Sequence, residues 1–379
     1  MDPWIEATAP RVALVAEREL EALVGVSSAS GDVDGAEECA ALAAAFLPPE
    51  AEVERLASSS PRHAPDLCGR LRGHGTARVL LLGHLDTVVS REAHRPLERH
   101  GDRLTGSGAI DMKGGVALAL GVARELAARP ELYAEIAVLL VSDEEWRTEP
   151  FVHVERFARF DACLCFEAGE RTDAGVESVV ARRKAAGTLR VHGHGRAAHS
   201  GSAPERGRSA LLALAEVARR VADCSDPRGP DRVTAVPTIL RAGEVFNVVP
   251  PAGELVCDLR ADRIDAFAAV LAAVPAELDG VRLHATLVRA WPGMDSRAEV
   301  AGLLAGAAER LGRPLVATER GGASDASHMA AAISLTVDGL GPRGGGAHTP
   351  AEWVSAGSLR PRAEVALAVV AALLDPRQR

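Results

Sequence analysis

Five short packets of acids and histidines punctuate the chain: GHLDTV at residues 83–88, GAIDMKGG at 108–115, SDEE at 142–145, CFEAGE at 165–170 and GGGAHTPAEW at 344–353. Each sets His, Asp or Glu beside small or turn-forming residues. Together they offer His84, Asp111, Glu145, Glu167 and His348, an imidazole and carboxylate set that suits two zinc ions sharing a bridging carboxylate. Such a centre implies hydrolysis, because paired cations activate water and polarise a carbonyl.

That chemistry needs elements that bring the packets together. Residues 77–82, ARVLLL, are an apolar run of strand length ending at Gly83, so His84 and Asp86 are expected where a buried strand meets a loop. Open α/β sheets bind ligands at that position. One residue apart in extended chain, the two side chains point the same way, which lets Asp86 take the second ring N–H of His84 and fix its tautomer. A strand-end His with a capping Asp is the plainer reading. Asp111 precedes an apolar helical pattern over 116–126 and suits the N-cap of that helix. Gly106 and Gly108 also let the backbone close around something small, where an Asp111 carboxylate could bridge two cations while Lys113 and the helix N-terminus moderate the charge.

Residues 135–141, EIAVLLV, make another buried strand that delivers Asp143, Glu144 and Glu145. Three adjacent carboxylates repel one another unless cations neutralise them. Successive side chains diverge, so Glu145 can bind metal while Glu144 faces the substrate water as general base; a solvated acidic turn is the alternative. Residues 163–166 read as a short strand leading to Glu167, with Cys163 and Cys165 on one face as buried thiols rather than a soft-metal pair. His192 and His194 read as ordinary strand residues.

On HLDTV, GAIDMKGG, SDEE, FEAGE and AHTPAE, in that order and over nearly the whole length, the chain resembles the dinuclear zinc peptidases of the aminoacylase, succinyl-diaminopimelate desuccinylase and carboxypeptidase G type. The resemblance implies that His84, Asp111, Glu145, Glu167 and His348 ligate two zinc ions per subunit, with cobalt or manganese as chemically acceptable substitutes. It also implies that Asp111 bridges, that Asp86 orients His84 and that Glu144 is general base and acid. His199, in GRAAHSG, falls where the family has a histidine that polarises the scissile carbonyl, often from the partner subunit. Asn247, in GEVFNVVP, and Arg260, in LVCDLRA, fall where the family binds a substrate carboxylate, a task for which the guanidinium fork is suited. Read alone, Arg260 is equally an exposed strand residue. The run GGASDASHM, residues 321–329, resembles a loop close to the substrate, which makes Ser324 substrate-binding and Asp325 a further candidate. One departure stands out. Many relatives continue past the acidic packet with glycine and small residues, whereas this chain has Trp146, Arg147, Thr148, Glu149 and Pro150, bulk that bears on leaving-group preference.

A chain of 379 residues, 47% hydrophobic and 25% charged, is long enough for two cores. A net charge of -9 without a basic run excludes nucleic acid as an expected partner. No segment reads as a signal peptide or a bilayer span, and six cysteines without framework spacing fit a cytoplasmic protein with reduced thiols. The metal packets stop at Glu167 and resume at His348. Between them, strands are expected at 178–183 paired with 187–193, at 233–242 paired with 254–260, and at 281–289, with helices at 209–222 and 264–274. The expected fold is therefore α/β: a catalytic domain with a mixed sheet flanked by helices, residues 1–177 and 292–379, and an inserted α+β, ferredoxin-like domain, 178–291. The resemblance implies that this insert is lid and dimerisation surface of a homodimer. The expected activity is hydrolysis of a peptide or amide bond next to a free carboxylate. A glutamate-type carboxypeptidase acting on small peptides comes first, and an N-acyl amino acid deacylase, such as one removing a protecting group in biosynthesis, second. A metal-stabilised binding protein without catalysis is the reading from a different class, and Glu144 and His199 argue against it.

Overall fold

Residues Ala77–His84 and Tyr133–Val141 are apolar almost without interruption, and such strands are stable only where both faces are covered. In the computed structural model, which describes residues 1–375, the two run parallel at the middle of a six-stranded sheet. The order across that sheet is Glu52–Leu56, Asp66–Arg72, Tyr133–Val141, Ala77–His84, Ala162–Cys165 and Leu335–Val337. The first two strands join antiparallel and the rest are parallel, so the sheet is mixed. Helices Pro3–Gly25, Gly114–Ala127 and Ala356–Leu373 share one hydrophobic cluster with it, to which Leu20, Leu118 and Val369 contribute from the helices and Val79 and Leu81 from the sheet. Close approach fixes one glycine: a Cβ on Gly115 would fall 1.8 Å from the Phe166 carbonyl oxygen. The unit built this way comprises residues 1–182, 295–320 and 324 onward; residues 376–379, the end of the expected second catalytic segment, lie outside the described residues.

The second unit is Arg183–Met294 with residues 321–323. Its sheet runs Thr234–Ala242, Ala252–Ala261, Ala185–His194, Val281–Trp291 and Glu277–Leu278, every neighbour antiparallel. Helices Ala210–Asp223 and Phe267–Ala272 cover one face, burying Leu214, Val217 and Phe267 against Leu189, Val191, Leu255 and Leu259. Strand, helix, two strands, helix, strand is the ferredoxin-like sequence of elements.

The expected pairing of 178–183 with 187–193 does not form. Glu177–Arg183 pairs instead with Glu170–Arg171 and belongs to the small sheet of Leu315–Arg320. Only Lys184 separates it from Ala185–His194, and one residue cannot close a hairpin, whose shortest common loop has two. No helix among the described residues is long and apolar enough to cross a membrane. All six cysteines are free, and Cys163 and Cys165 are buried in their strand.

Candidate active site

Strand register sets the site. His84 ends its strand opposite Val141, and Leu82 lies opposite Cys165. His84, the acidic turn after Val141 and Glu167 therefore leave the sheet side by side at its C-terminal edge, where parallel strands bind ligands. Asp111 comes from a tight turn with φ -125° and ψ 89°, neither helical nor capping; Lys113 occupies the cap position of Gly114–Ala127. Gly108 opens that turn at φ +72°, where a Cβ would also lie 2.4 Å from Thr87 Cγ2. Lys113 is buried, and its Nζ donates to the Val26 carbonyl at 2.7 Å. His348 is held at φ 63°, uncommon for a residue with a side chain and frequent at functional positions.

The five packets converge on two groups of potential ligands that share one residue: His84, Asp111 and Glu167, and Asp111, Glu145 and His348, with the ligand atoms of each group within 4.8 Å of one another. His84 Nε2 lies 3.1 Å from Asp111 Oδ1 and 3.8 Å from Glu167 Oε1. His348 Nε2 lies 3.0 Å from Asp111 Oδ2 and 3.2 Å from Glu145 Oε2. Asp111 thus turns one oxygen to each histidine, the disposition of a bridging carboxylate. Glu145 Oε1 is buried and meets no hydrogen-bond partner among the described residues, which an acceptor rarely tolerates without an ion or water.

Electrostatics say the same. The Asp111 and Glu145 carboxylates raise His348 to about 10. Burial alone would lower His84, yet its bonds to Asp111 and Asp86 hold it well above its ordinary value. Desolvation pushes Asp111 up, but His348 and His84 outweigh that and hold it below its ordinary range. The carboxylates demand positive charge, and protons on two imidazoles supply what metal cations supply better. The side chains present fit a metal pair.

A second layer holds these groups in place. Both Asp86 carboxylate oxygens accept from the acidic turn, Oδ1 from Glu144 N and Oδ2 from Glu145 N, each at 3.1 Å. His84 Nδ1 is nearer to the Asp86 carbonyl, at 3.0 Å, than to its carboxylate, at 3.4 Å. The expected side-chain contact is therefore secondary, and Asp86 mainly anchors the Glu144 turn. Glu144 is buried, and that burial pushes its carboxyl well above the usual range, with Asp325, Glu167 and Glu145 adding to the shift against His84. Glu352 accepts from the backbone N–H groups of Gly108, Ile110 and Asp111 at 3.0, 2.9 and 3.0 Å and so shapes the turn that presents Asp111.

Residues 146–150 do not simply crowd the mouth. Trp146 is 59% exposed, but Arg147 is fully buried, its Nε on Asp143 at 3.1 Å and its fork on Asp325 at 2.5 and 3.0 Å. The Phe151 ring lies 4.3 Å beneath the guanidinium. Ser324 is buried, and its hydroxyl donates to Asp338 at 2.7 Å. Neither the Glu352 nor the Arg147 role had a sequence signal beyond the motif around it.

His199, Asn247 and Arg260 belong to the second unit. Ser200 N donates to the Asn247 carbonyl at 3.0 Å, which places His199 and Asn247 on adjoining segments. His199 Nδ1 accepts from Gly201 N and Ser202 N, both at 3.1 Å, so the ring proton sits on Nε2. Arg260 is bidentate to Asp258 at 3.0 and 2.9 Å and about one-third exposed. His192 and His194 lie along Ala185–His194, opposite His284 and Arg282.

Residues 80–372 match the family described as Peptidase family M20/M25/M40. Carboxypeptidase G2 of Pseudomonas sp. (strain RS-16) is 28% identical over 378 residues, covering 93% of this chain and 88% of that protein. The succinyl-diaminopimelate desuccinylase of Halorhodospira halophila is 34% identical over 204 residues, 49% of this chain and 54% of that protein. Among solved structures, aminopeptidase PepT from Bacillus cereus superposes with a TM-score of 0.77 and 19% identity, over 96% of this chain and 99% of that one. The M20 family metallo-carboxypeptidase Sso-CP2 from Sulfolobus solfataricus gives 0.70 and 16%, over 94% and 98%. The superpositions carry the fold, and the match along residues 80–372 carries the lineage: this chain is a hydrolytic enzyme and belongs to peptidase family M20/M25/M40.

Proposed function

We propose that the enzyme cleaves a peptide or amide bond next to a free carboxylate, as a glutamate-type carboxypeptidase, at a dinuclear metal centre. The observation that carries the reading is Asp111, facing His84 with one oxygen and His348 with the other, beside the buried Glu144. His84, Asp111 and Glu167 would hold one ion, and Asp111, Glu145 and His348 the other; zinc suits these donors, as do cobalt and manganese. Bound there, the pair supplies Lewis acidity that polarises a carbonyl and brings the pKa of water toward neutrality. Glu144 takes the water proton and returns it to the leaving nitrogen, its place fixed by the Asp86 bond to its backbone. His199 stabilises the developing oxyanion from Nε2, the donor nitrogen that Gly201 and Ser202 leave outward. Asn247 and Arg260 hold the substrate carboxylate, with Arg260 exchanging Asp258 for the substrate, while Ser324 fixes its loop to Asp338.

The reading extends to a homodimer paired through the second unit, with His199 serving the partner's centre. Thr234–Ala242 is an edge strand of its sheet and exposes Val236, Ile239 and Leu240, while Phe246 nearby in sequence is 98% exposed. An apolar open edge of this kind invites pairing. Six free thiols suit a reducing, cytoplasmic setting.

N-acyl amino acid deacylation by the same chemistry is the second reading, favoured by the similarity to succinyl-diaminopimelate desuccinylases. A panel of dipeptides, N-acyl amino acids and their C-terminal amides, assayed with zinc or cobalt, tests both. Preference for one C-terminal residue across many acyl groups supports the carboxypeptidase, and preference for one acyl group across many amino acids the deacylase. Arg260→Ala should weaken the acid substrates by about 2–5 kcal/mol and leave the amides unchanged. Equal hydrolysis of acid and amide by the parent contradicts carboxylate recognition.

A further inference from the structure

Three guanidiniums converge on one carboxylate below the Glu167 packet. Glu177 Oε1 accepts from Arg171 Nε at 2.7 Å and from Arg343 Nη1 at 2.6 Å, and Glu177 Oε2 accepts from Arg362 Nη1 at 3.0 Å. The neighbouring carboxylates are engaged elsewhere: Glu170 takes Arg320 and the Thr318 hydroxyl, and Asp102 takes the Ser355 hydroxyl and Gly357 N. Arg171, Arg343 and Arg362 thus share the single carboxylate of Glu177 as hydrogen-bond acceptor, and Asp102 pulls on Arg343 only through space.

The three arginines differ in what is left to them. Arg362 is fully buried and donates besides to the Ser178, Gly339 and Gly341 carbonyls, so it is a structural post. The side chains of Arg171 and Arg343 are 46% and 20% exposed. The two Nη atoms of Arg171, and Nε and Nη2 of Arg343, have no acceptor among the described residues. Both forks are pinned through one nitrogen to the same Glu177 oxygen, so their remaining donors are neighbours. Burial and the like charge of Arg171 hold Arg343 below its ordinary range against the pull of Glu177.

The pair also sits at a junction. Arg171 ends the short strand Glu170–Arg171 just after Glu167 and Arg343 precedes His348, and these two segments are stitched by Gly169 N to the Pro342 carbonyl at 2.8 Å and by Gly341 N to the Glu167 carbonyl at 2.7 Å. A Cβ on Gly341 would fall 2.4 Å from the Phe166 carbonyl oxygen, so the stitch admits no side chain there.

We propose that Arg171 and Arg343 form a binding site for a small oxyanion, a carboxylate or a tetrahedral sulfate or phosphate group, at the junction of the segment that follows Glu167 and the one that leads to His348. Glu177 orients both forks, and the anion takes the donors it leaves free. Because each segment adjoins a residue of a different ligand group, anion and metal binding are coupled, each tightening the other. Anion binding as such does not depend on the proposed hydrolysis.

Calorimetric titration of sodium sulfate into the metal-loaded full chain, at ionic strength held constant with sodium chloride, tests the site. Saturable binding is expected, weakened at least tenfold in Arg171→Gln and in Arg343→Gln. It should persist, at reduced affinity as the coupling requires, in Asp111→Ala, which separates this site from sulfate landing on the metal centre and from any failure of the hydrolase reading. Arg171→Lys and Arg343→Lys keep the charge and lose the fork, so their affinities should fall between; they carry the test if a Gln variant does not fold. Sulfate that competes with a carboxylate-bearing substrate identifies the occupant as that carboxylate, and sulfate that binds without competing identifies a free anion. Absence of saturable binding in the parent, or equal binding in parent and folded variants, overturns the proposal.

Discussion

Arg147 lies out of solvent between Asp143, the residue before Glu144, and Asp325. Removing its charge leaves two buried carboxylates facing each other, so Arg147→Met is expected to lower stability by about 3–5 kcal/mol in denaturant unfolding, and Arg147→Lys by less. A loss within about 0.5 kcal/mol would mean that the pair needs no buried counter-charge. Glu352 plays the matching part on the other side. Glu352→Ala strips three backbone N–H groups of their acceptor and should weaken metal affinity about 10–100-fold in competition with a chelator; unchanged affinity would show that the Asp111 turn holds without it. Residues such as His84, Asp111 and Glu145 were legible as one constellation because acids and imidazoles beside glycines at strand ends are chemically conspicuous. Arg147 and Glu352 were not, since each has a partner far along the chain: Asp325 is 178 positions from Arg147, and Gly108 is 244 from Glu352.

Elements read well wherever one residue period persisted. The central strands follow from nearly continuous apolar runs and the helix after Asp111 from a helical apolar pattern, and the observed Tyr133–Val141 and Gly114–Ala127 extend the expected spans by only a few residues. Pairing was less legible than existence. The segment 178–183 is a strand as expected, but a strand pattern does not name its partner, and the next strand begins at Ala185 rather than at 187, leaving only Lys184 between them. Helix packing carries a pH signature of its own. Glu19 on Pro3–Gly25 meets Arg124 on Gly114–Ala127, yet burial raises its carboxyl to about 7, against the opposing pull of Arg124. A raised folded value favours the neutral acid, so this contribution to stability is complete below the ordinary value near 4.5 and is lost as pH rises through about 7. Glu19→Gln should therefore flatten the fall in Tm between pH 5 and 8, by on the order of a few degrees; identical pH profiles for parent and variant would contradict the shift.

At the scale of the molecule, the candidate ligands, drawn from residues 84 to 348, come together within the first unit, while His199, Asn247 and Arg260 belong to the second. If His199 serves the partner's centre, mixing inactive His199→Ala and Glu144→Ala chains should restore activity, because a hybrid dimer contains one site with both residues intact. A demonstrated hybrid that stays inactive, or a fully active monomer, rules that out. The division into units explains why the sequence spoke clearly about each core and little about assembly: burial patterns record what lies inside a unit, and an exposed edge such as Thr234–Ala242 names no partner. The central claim is that Glu144 moves the proton at a metal pair bridged by Asp111 without holding either ion. Metal content measured alongside turnover in Glu144→Gln tests it most directly. Two metal ions per chain, as in the parent, with turnover abolished is the expected result; fewer ions than the parent, or turnover that survives, contradicts it.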